Sequence, residues 1–158
     1  MGFKEKWNIP AITAEFVGTF FIVFFSSYYN IVDETTRSNG IAILMLYTFF
    51  TYSIGPISGA HFNPAITMSL MLQENFGWLK GAFYIAAQLL ASLIAGFFIL
   101  VLKIKGESTK NQYWLGEPTI LPFPGTTEPT ISYFSLFFSE TLCTAFLLFF
   151  WNIAMNDE

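Results

Sequence analysis

Few side chains in this sequence could do chemistry, and most of those that could lie inside long apolar stretches. Glu15 is the only charge between Ile9 and Val32, and Glu140 is the only charge between Pro129 and Asn156. His61 and Asn63 fall in the uncharged run Ser38 to Gln73, and Gln88 in the uncharged run Gly81 to Leu102. Glu15 and Glu140 are the only paired carboxylates, and nothing supplies a nucleophile beside a base, so the pattern is not that of an enzyme. One His and one Cys leave no zinc-ligand spacing, and Cys143 alone excludes an internal disulfide; no metal or cofactor is expected. What remains is polar bracing. A carboxylate in hydrocarbon costs at least about 2.5 kcal/mol, so Glu15 and Glu140 are expected to face a bundle interior and hold something polar there. The plainer alternative, a helix-end Glu reaching the interface, fits two residues placed several positions inside their stretches less well.

The composition says what surrounds them. The 158 residues are 54% hydrophobic and 11% charged, with a mean hydropathy of +0.53. A soluble domain carries about 25% charged residues to wet its surface, so lipid is the expected solvent and the chain reads as an integral, multi-pass membrane protein. Seven Lys and Arg against eleven Asp and Glu provide no basic patch for a run of phosphates, which excludes nucleic acid as a main partner. The first apolar stretch is too long for a signal h-region and reads as a retained span.

A bilayer core about 30 Å thick takes roughly 20 residues of helix. The first, third and fourth stretches fit as single spans. The second does not, because 36 residues of helix would run about 54 Å. A helix from about Ile41 is expected to stop at Gly55-Pro56, where Pro56 lacks an N–H and disfavours the α region before it, with Gly59 repeating the signal. A second helix can restart with Asn63 as its N-cap and Pro64 at the first helical position. From Pro64 to Gln73 it would be about 15 Å long, half a bilayer. Irregular backbone at membrane depth is tolerated where protein buries it or where it lines a water-filled cavity, which makes Ile57 to Phe62 the candidate pore wall. The alternative is a kinked helix followed by an amphipathic surface helix.

Residues 103–129 form a polar connection with four prolines and three glycines, long enough to carry the chain across the top of a bundle. With the N-terminus inside, Lys4, Lys6 and Lys80 stand against Arg37, Lys103, Lys105 and Lys110 outside, so only the pair flanking the first span favours that orientation. Sliding the chain by 125 residues lays Ala14-Glu15-Phe16-Val17-Gly18-Thr19 on Ser139-Glu140-Thr141-Leu142-Cys143-Thr144, with five of twelve positions identical. The chain crosses the membrane three times between the copies, so the second points the opposite way, as in an inverted repeat. The expected organisation is a first half (1–102), the connection (103–129) and the first span of an incomplete second half (130–158).

The run Ser58-Gly59-Ala60-His61-Phe62-Asn63-Pro64-Ala65-Ile66-Thr67 resembles the first signature loop of the aquaporin and aquaglyceroporin channels, the major intrinsic protein family. Ala14-Glu15-Phe16 with Gly18-Thr19 is similar to that family's first helix, and Tyr84-Ile85-Ala86-Ala87-Gln88 to its third. The resemblance covers nearly the whole chain. It implies an all-α membrane bundle of four spans plus one re-entrant half-helix, an incomplete inverted repeat that stops before the fifth span, the second signature loop with its arginine, and the sixth span. It implies passage of water or a small neutral solute such as glycerol, and assembly as a homo-oligomer, a tetramer.

Residue by residue, the resemblance implies that the carbonyls of Gly59, Ala60, His61 and Phe62 line the pore as acceptors. Asn63, Pro64 and Ala65 would cap the half-helix, with the Asn63 amide hydrogens turned to the permeating molecule. Ile22 and Leu147, seven residues after Glu15 and Glu140, would be greasy walls, although ordinary core or lipid-facing aliphatics have the same pattern. Ile43 matches a position of the outer selectivity filter. The His61 ring is expected to be a hydrogen-bonded packing group. Gln88 is expected to bond the loop backbone, or to share a neighbouring carbonyl as a buried amide in lipid commonly does, and Ala87, Ala91 and Ala95 give a flat face for close helix contact. The alternative from a different class is a non-conducting four-span protein that assembles with full-length relatives or another chain.

Overall fold

The computed structural model describes residues 8–32, 39–73, 76–104 and 133–156. These form five helices: α1 (Ile9–Val32), α2 (Asn39–Ser58), α3 (Pro64–Leu72), α4 (Trp78–Ile104) and α5 (Tyr133–Asn156). All but α3 are long and apolar enough to cross a membrane. The chain divides into two compact units, Met1–Gly116 and Glu117–Glu158, each described by itself; α5 is the described part of the second. Of the connection expected at 103–129, residues 103 and 104 belong to α4; the rest of it, and most of the cations that bear on orientation, lie outside the described residues.

Within the first unit α1 packs mainly on α4 and also on α2, while α3 packs on α4. Small residues allow the closest of these contacts. Ala11, Ala14 and Gly18 on α1 are buried, and so are Ala87, Ala91 and Ala95 on α4. Lipid tails are as apolar as Leu, so close backbone approach and van der Waals packing, rather than hydrophobic burial, favour such a seam.

One expectation needs correcting. α2 does not stop at Gly55-Pro56; it runs through Pro56 to Ser58. Proline removes one intrahelical bond, and its steric conflict is partly with the Cβ of the preceding residue, which Gly55 lacks. The helix ends instead at Gly59, whose φ of +92° leaves the helical region while its N–H still donates to the Gly55 carbonyl at 2.8 Å. The irregular segment is therefore 59–63, shorter than expected.

The restart follows the expected route. Asn63 is extended, its side-chain oxygen accepts the Ala65 N–H at 2.9 Å, and Pro64 begins α3. At the other end the Gln73 N–H donates to the Ser69 carbonyl at 3.1 Å. Nine residues of α3 rise about 14 Å, half the hydrocarbon thickness.

Candidate functional site: a pinned loop and its half-helix

The loop between α2 and α3 is irregular in a specific way. Gly59, Ala60 and Phe62 all have positive φ, at +92°, +52° and +48°. For Ala60 and Phe62 this conformation costs about 1–2 kcal/mol each, so the surroundings must hold it. They do so through the loop's donors. The Gly59 N–H goes to the Gly55 carbonyl, the Ala60 N–H to Ser58 Oγ at 3.0 Å, the His61 N–H to Glu15 Oε1 at 2.9 Å and the Phe62 N–H to Glu15 Oε2 at 2.7 Å. Among the described residues no donor reaches the carbonyl oxygens of the same four residues. Among the described residues, then, every N–H of residues 59–62 is committed to protein and none of their carbonyls is.

Glu15 is the centre of the arrangement and is fully buried. Besides the two backbone donors it accepts Gln88 Nε2–H at 2.8 Å. The amide nitrogen of Gln88 also donates to Thr67 Oγ1 at 3.0 Å, and Thr67 Oγ1 lies 3.1 Å from His61 Nδ1 and 3.2 Å from the Asn63 carbonyl. The direct bond from Gln88 to the loop backbone that the sequence suggests does not form. Gln88 acts one step back: its amide nitrogen donates to Glu15, which holds the loop N–H groups, and to Thr67 of α3.

Sequence reasoning missed four members of this assembly. Thr67, one turn after Asn63, links α3 to α4 through Gln88. Tyr84, one turn before Gln88, donates its hydroxyl to the Ser58 carbonyl at 2.9 Å and so holds the end of α2. Gly18 on α1 leaves the space occupied by the Phe62 ring; a Cβ there would collide with it. Phe76 lies tilted against His61, with ring centroids 4.9 Å apart and planes at 57°, and Tyr84 meets His61 edge to face at 5.2 Å. Helical spacing from Asn63 and Gln88 was the available signal for Thr67 and Tyr84. Gly18 stood in the sequence only as part of the first-helix resemblance, without its contact to Phe62, and no pattern identified Phe76.

The other candidates are distributed as follows. Ile22 is buried against Ala60 and Phe62. Ile43 lines a groove of about 390 Å³ with Phe25, Ser26, Ala42, Met45 and Leu46. Asn63 is half-buried; with Oδ1 used as the cap, its amide nitrogen bonds no acceptor among the described residues. Glu140 and Leu147 lie on α5, in the second unit. Among the described residues no three His, Cys, Asp or Glu side chains come together to hold a metal.

A capped half-helix, pinned from behind by a buried carboxylate on the first span, is a distinctive arrangement, and comparison of the sequence with known proteins shows whose it is. The family model described as major intrinsic protein matches residues 3–158. The chain belongs to the major intrinsic protein family. It is 34% identical over 150 residues to aquaporin NIP3-1 of Oryza sativa subsp. japonica, covering 91% of this chain and 44% of that one. Identity to aquaporin NIP3-1 of Arabidopsis thaliana is 31% over 159 residues, or 95% and 46% of the two chains. Identity to aquaglyceroporin-2 of Rhizophagus irregularis is 31% over 166 residues, or 97% and 52%. This major intrinsic protein chain thus spans about half the length of the curated relatives it matches. It is an integral, multi-pass membrane protein.

Proposed function

We propose that the chain contributes the first-half wall of a membrane channel that passes water or small neutral solutes such as glycerol. The observation that carries this reading is the one-sided bonding of residues 59–62. Backbone carbonyls without protein donors are what a permeating molecule needs in place of the water it leaves behind. Asn63 supplies the complementary donor: its oxygen is held by α3, which turns its amide hydrogens to the same molecule. The N-terminus of α3 adds a partial positive charge, equivalent to roughly half a unit, that raises the barrier to cations.

The same reading makes Ile43 a filter position and Ile22 and Leu147 apolar walls. Glu15 with Gln88 braces one half and Glu140 the corresponding place in an inverted second half. The names of the relatives, aquaporin and aquaglyceroporin, support both classes of solute. Homo-oligomeric assembly, a tetramer, is proposed on the family resemblance. The test is a flux panel in proteoliposomes. Water and glycerol should cross faster than through empty vesicles while potassium flux stays at the empty-vesicle level; potassium passing with them, or neither neutral solute exceeding background, contradicts the proposal.

A further inference from the structure

The side chains behind the loop share few hydrogens, and their distances fix where each one goes. Glu15 already accepts the N–H groups of His61 and Phe62, so the end of the Gln88 amide that lies 2.8 Å from Glu15 Oε2 is its nitrogen; turned over, the amide would set oxygen against oxygen. The second hydrogen of that nitrogen goes to Thr67 Oγ1 at 3.0 Å. The Thr67 hydroxyl has one hydrogen of its own to give. Three acceptors lie within reach of it: the Asn63 carbonyl at 3.2 Å, the Gln88 amide oxygen at 3.4 Å and, if it carries no hydrogen, His61 Nδ1 at 3.1 Å.

The neutral imidazole of His61 carries its hydrogen on either Nδ1 or Nε2. The ring is buried against Phe76 and Tyr84, and Nε2 is turned toward Gly59, where an added Cβ would stand 3.2 Å from it. Among the described residues no acceptor bonds Nε2. A hydrogen on Nε2 would therefore be a buried donor without an acceptor, and it would turn the Thr67 hydroxyl from Asn63 to Nδ1. A hydrogen on Nδ1 instead donates to Thr67 Oγ1 and leaves the hydroxyl hydrogen for the Asn63 carbonyl. Every hydrogen of the cluster then has an acceptor, which is the less costly arrangement in a buried site. The Asn63 carbonyl also receives the Thr67 N–H at 3.1 Å, and Asn63 Oδ1 receives the Ala65 N–H. Both oxygens of Asn63 are thus held by α3.

We propose that Thr67 is a positioning residue of the permeation path. Its hydroxyl fixes His61 as the Nδ1–H tautomer and draws the Asn63 carbonyl onto α3, so that the Asn63 side chain meets the permeating molecule as a donor only. The tautomer follows from the hydrogen bonds alone, whereas the role in conduction rests on the channel reading above.

His61 is the one His in the sequence, so carbon- and nitrogen-labelled histidine gives magnetic resonance signals from this ring alone. Spectra of the chain in proteoliposomes, at a pH well above the ordinary His value of about 6.5, show which ring nitrogen is protonated; the osmotic shrinkage of the same vesicles gives water permeability. The wild type should carry its hydrogen on Nδ1. Thr67→Val keeps the shape without the hydroxyl and should shift the tautomer ratio toward Nε2–H by about two- to tenfold, the value of one neutral hydrogen bond, with a lower permeability per folded protein. Thr67→Ser keeps the hydroxyl and should restore both. A wild-type hydrogen on Nε2 overturns the assignment, and this result does not depend on any variant folding. A tautomer ratio or a permeability that Thr67→Val leaves unchanged, beside a conducting wild type, overturns the positioning role, as does a Thr67→Ser that behaves like Thr67→Val. A wild type that shrinks no faster than empty vesicles overturns the channel reading and the positioning role with it, while a hydrogen on Nδ1 in those vesicles would still support the tautomer.

Discussion

Glu15 has no basic partner among the described residues, so N–H groups act in place of a counter-ion. Three such bonds, at about 1.5–3 kcal/mol each for a charged acceptor, offset a burial penalty of several kcal/mol. Glu15→Gln keeps the size but replaces one acceptor oxygen with an NH₂, which would face a backbone donor at His61 or Phe62. The expected loss is about 2–4 kcal/mol, read as a lower unfolding midpoint in detergent with reduced osmotic flux from the protein that remains folded. Unchanged stability and flux would remove Glu15 from its bracing role. The importance of Glu15 was legible in the sequence because one charge in a long apolar run demands a partner. Its partners were less so. Thr67 looks like one more Thr in a span, and Tyr84 is one aromatic among many. That the Gln88 amide would meet Glu15 rather than loop backbone depended on how α1 and α4 come together, which no local pattern encodes.

Elements were readable where a residue leaves the backbone little choice. Asn63-Pro64 marks the start of α3 because a side-chain acceptor followed by a fixed φ suits few other positions. Pro56 misled because its usual effect on the residue before it is weakened by Gly55, and only Gly59, with its positive φ, ends α2. Two helix contacts depend on missing side chains and should respond differently. A Cβ at Gly18 would meet the stiff Phe62 ring, whereas one at Gly81 would meet the flexible end of Met71. Gly18→Ala should cost about 1–3 kcal/mol by overpacking, and Gly81→Ala less, because a methionine can change rotamer. Thermal unfolding of the two variants checks the order. Equal effects would mean that Phe62 moves as freely as Met71, and the loop would not be rigidly seated against α1.

For the whole molecule, the apolar stretches, their lengths and the absence of basic patches indicated a multi-pass membrane protein before any motif was considered. The inverted repeat, by contrast, rests on Glu140 and its neighbours matching Glu15 and its own, and α5 lies in a unit described by itself. Glu140→Gln tests that correspondence: reduced membrane expression is expected if it braces a second half, and normal expression with normal flux would exclude it. If the chain assembles as proposed, native mass measurement in mild detergent should show four copies, and a monomer mass would contradict the tetramer. The central claim is that the loop and Asn63 form the path itself, and the most direct measurement is the osmotic shrinkage rate of proteoliposomes. Wild type and Asn63→Asp are compared at equal protein density, with empty vesicles as the baseline. The substitution removes the amide donors and places a carboxylate at the start of α3, so the wild type should shrink faster than empty vesicles and Asn63→Asp should fall back toward them. Equal rates for wild type and Asn63→Asp, both above baseline, would show that water crosses elsewhere and would contradict the assignment.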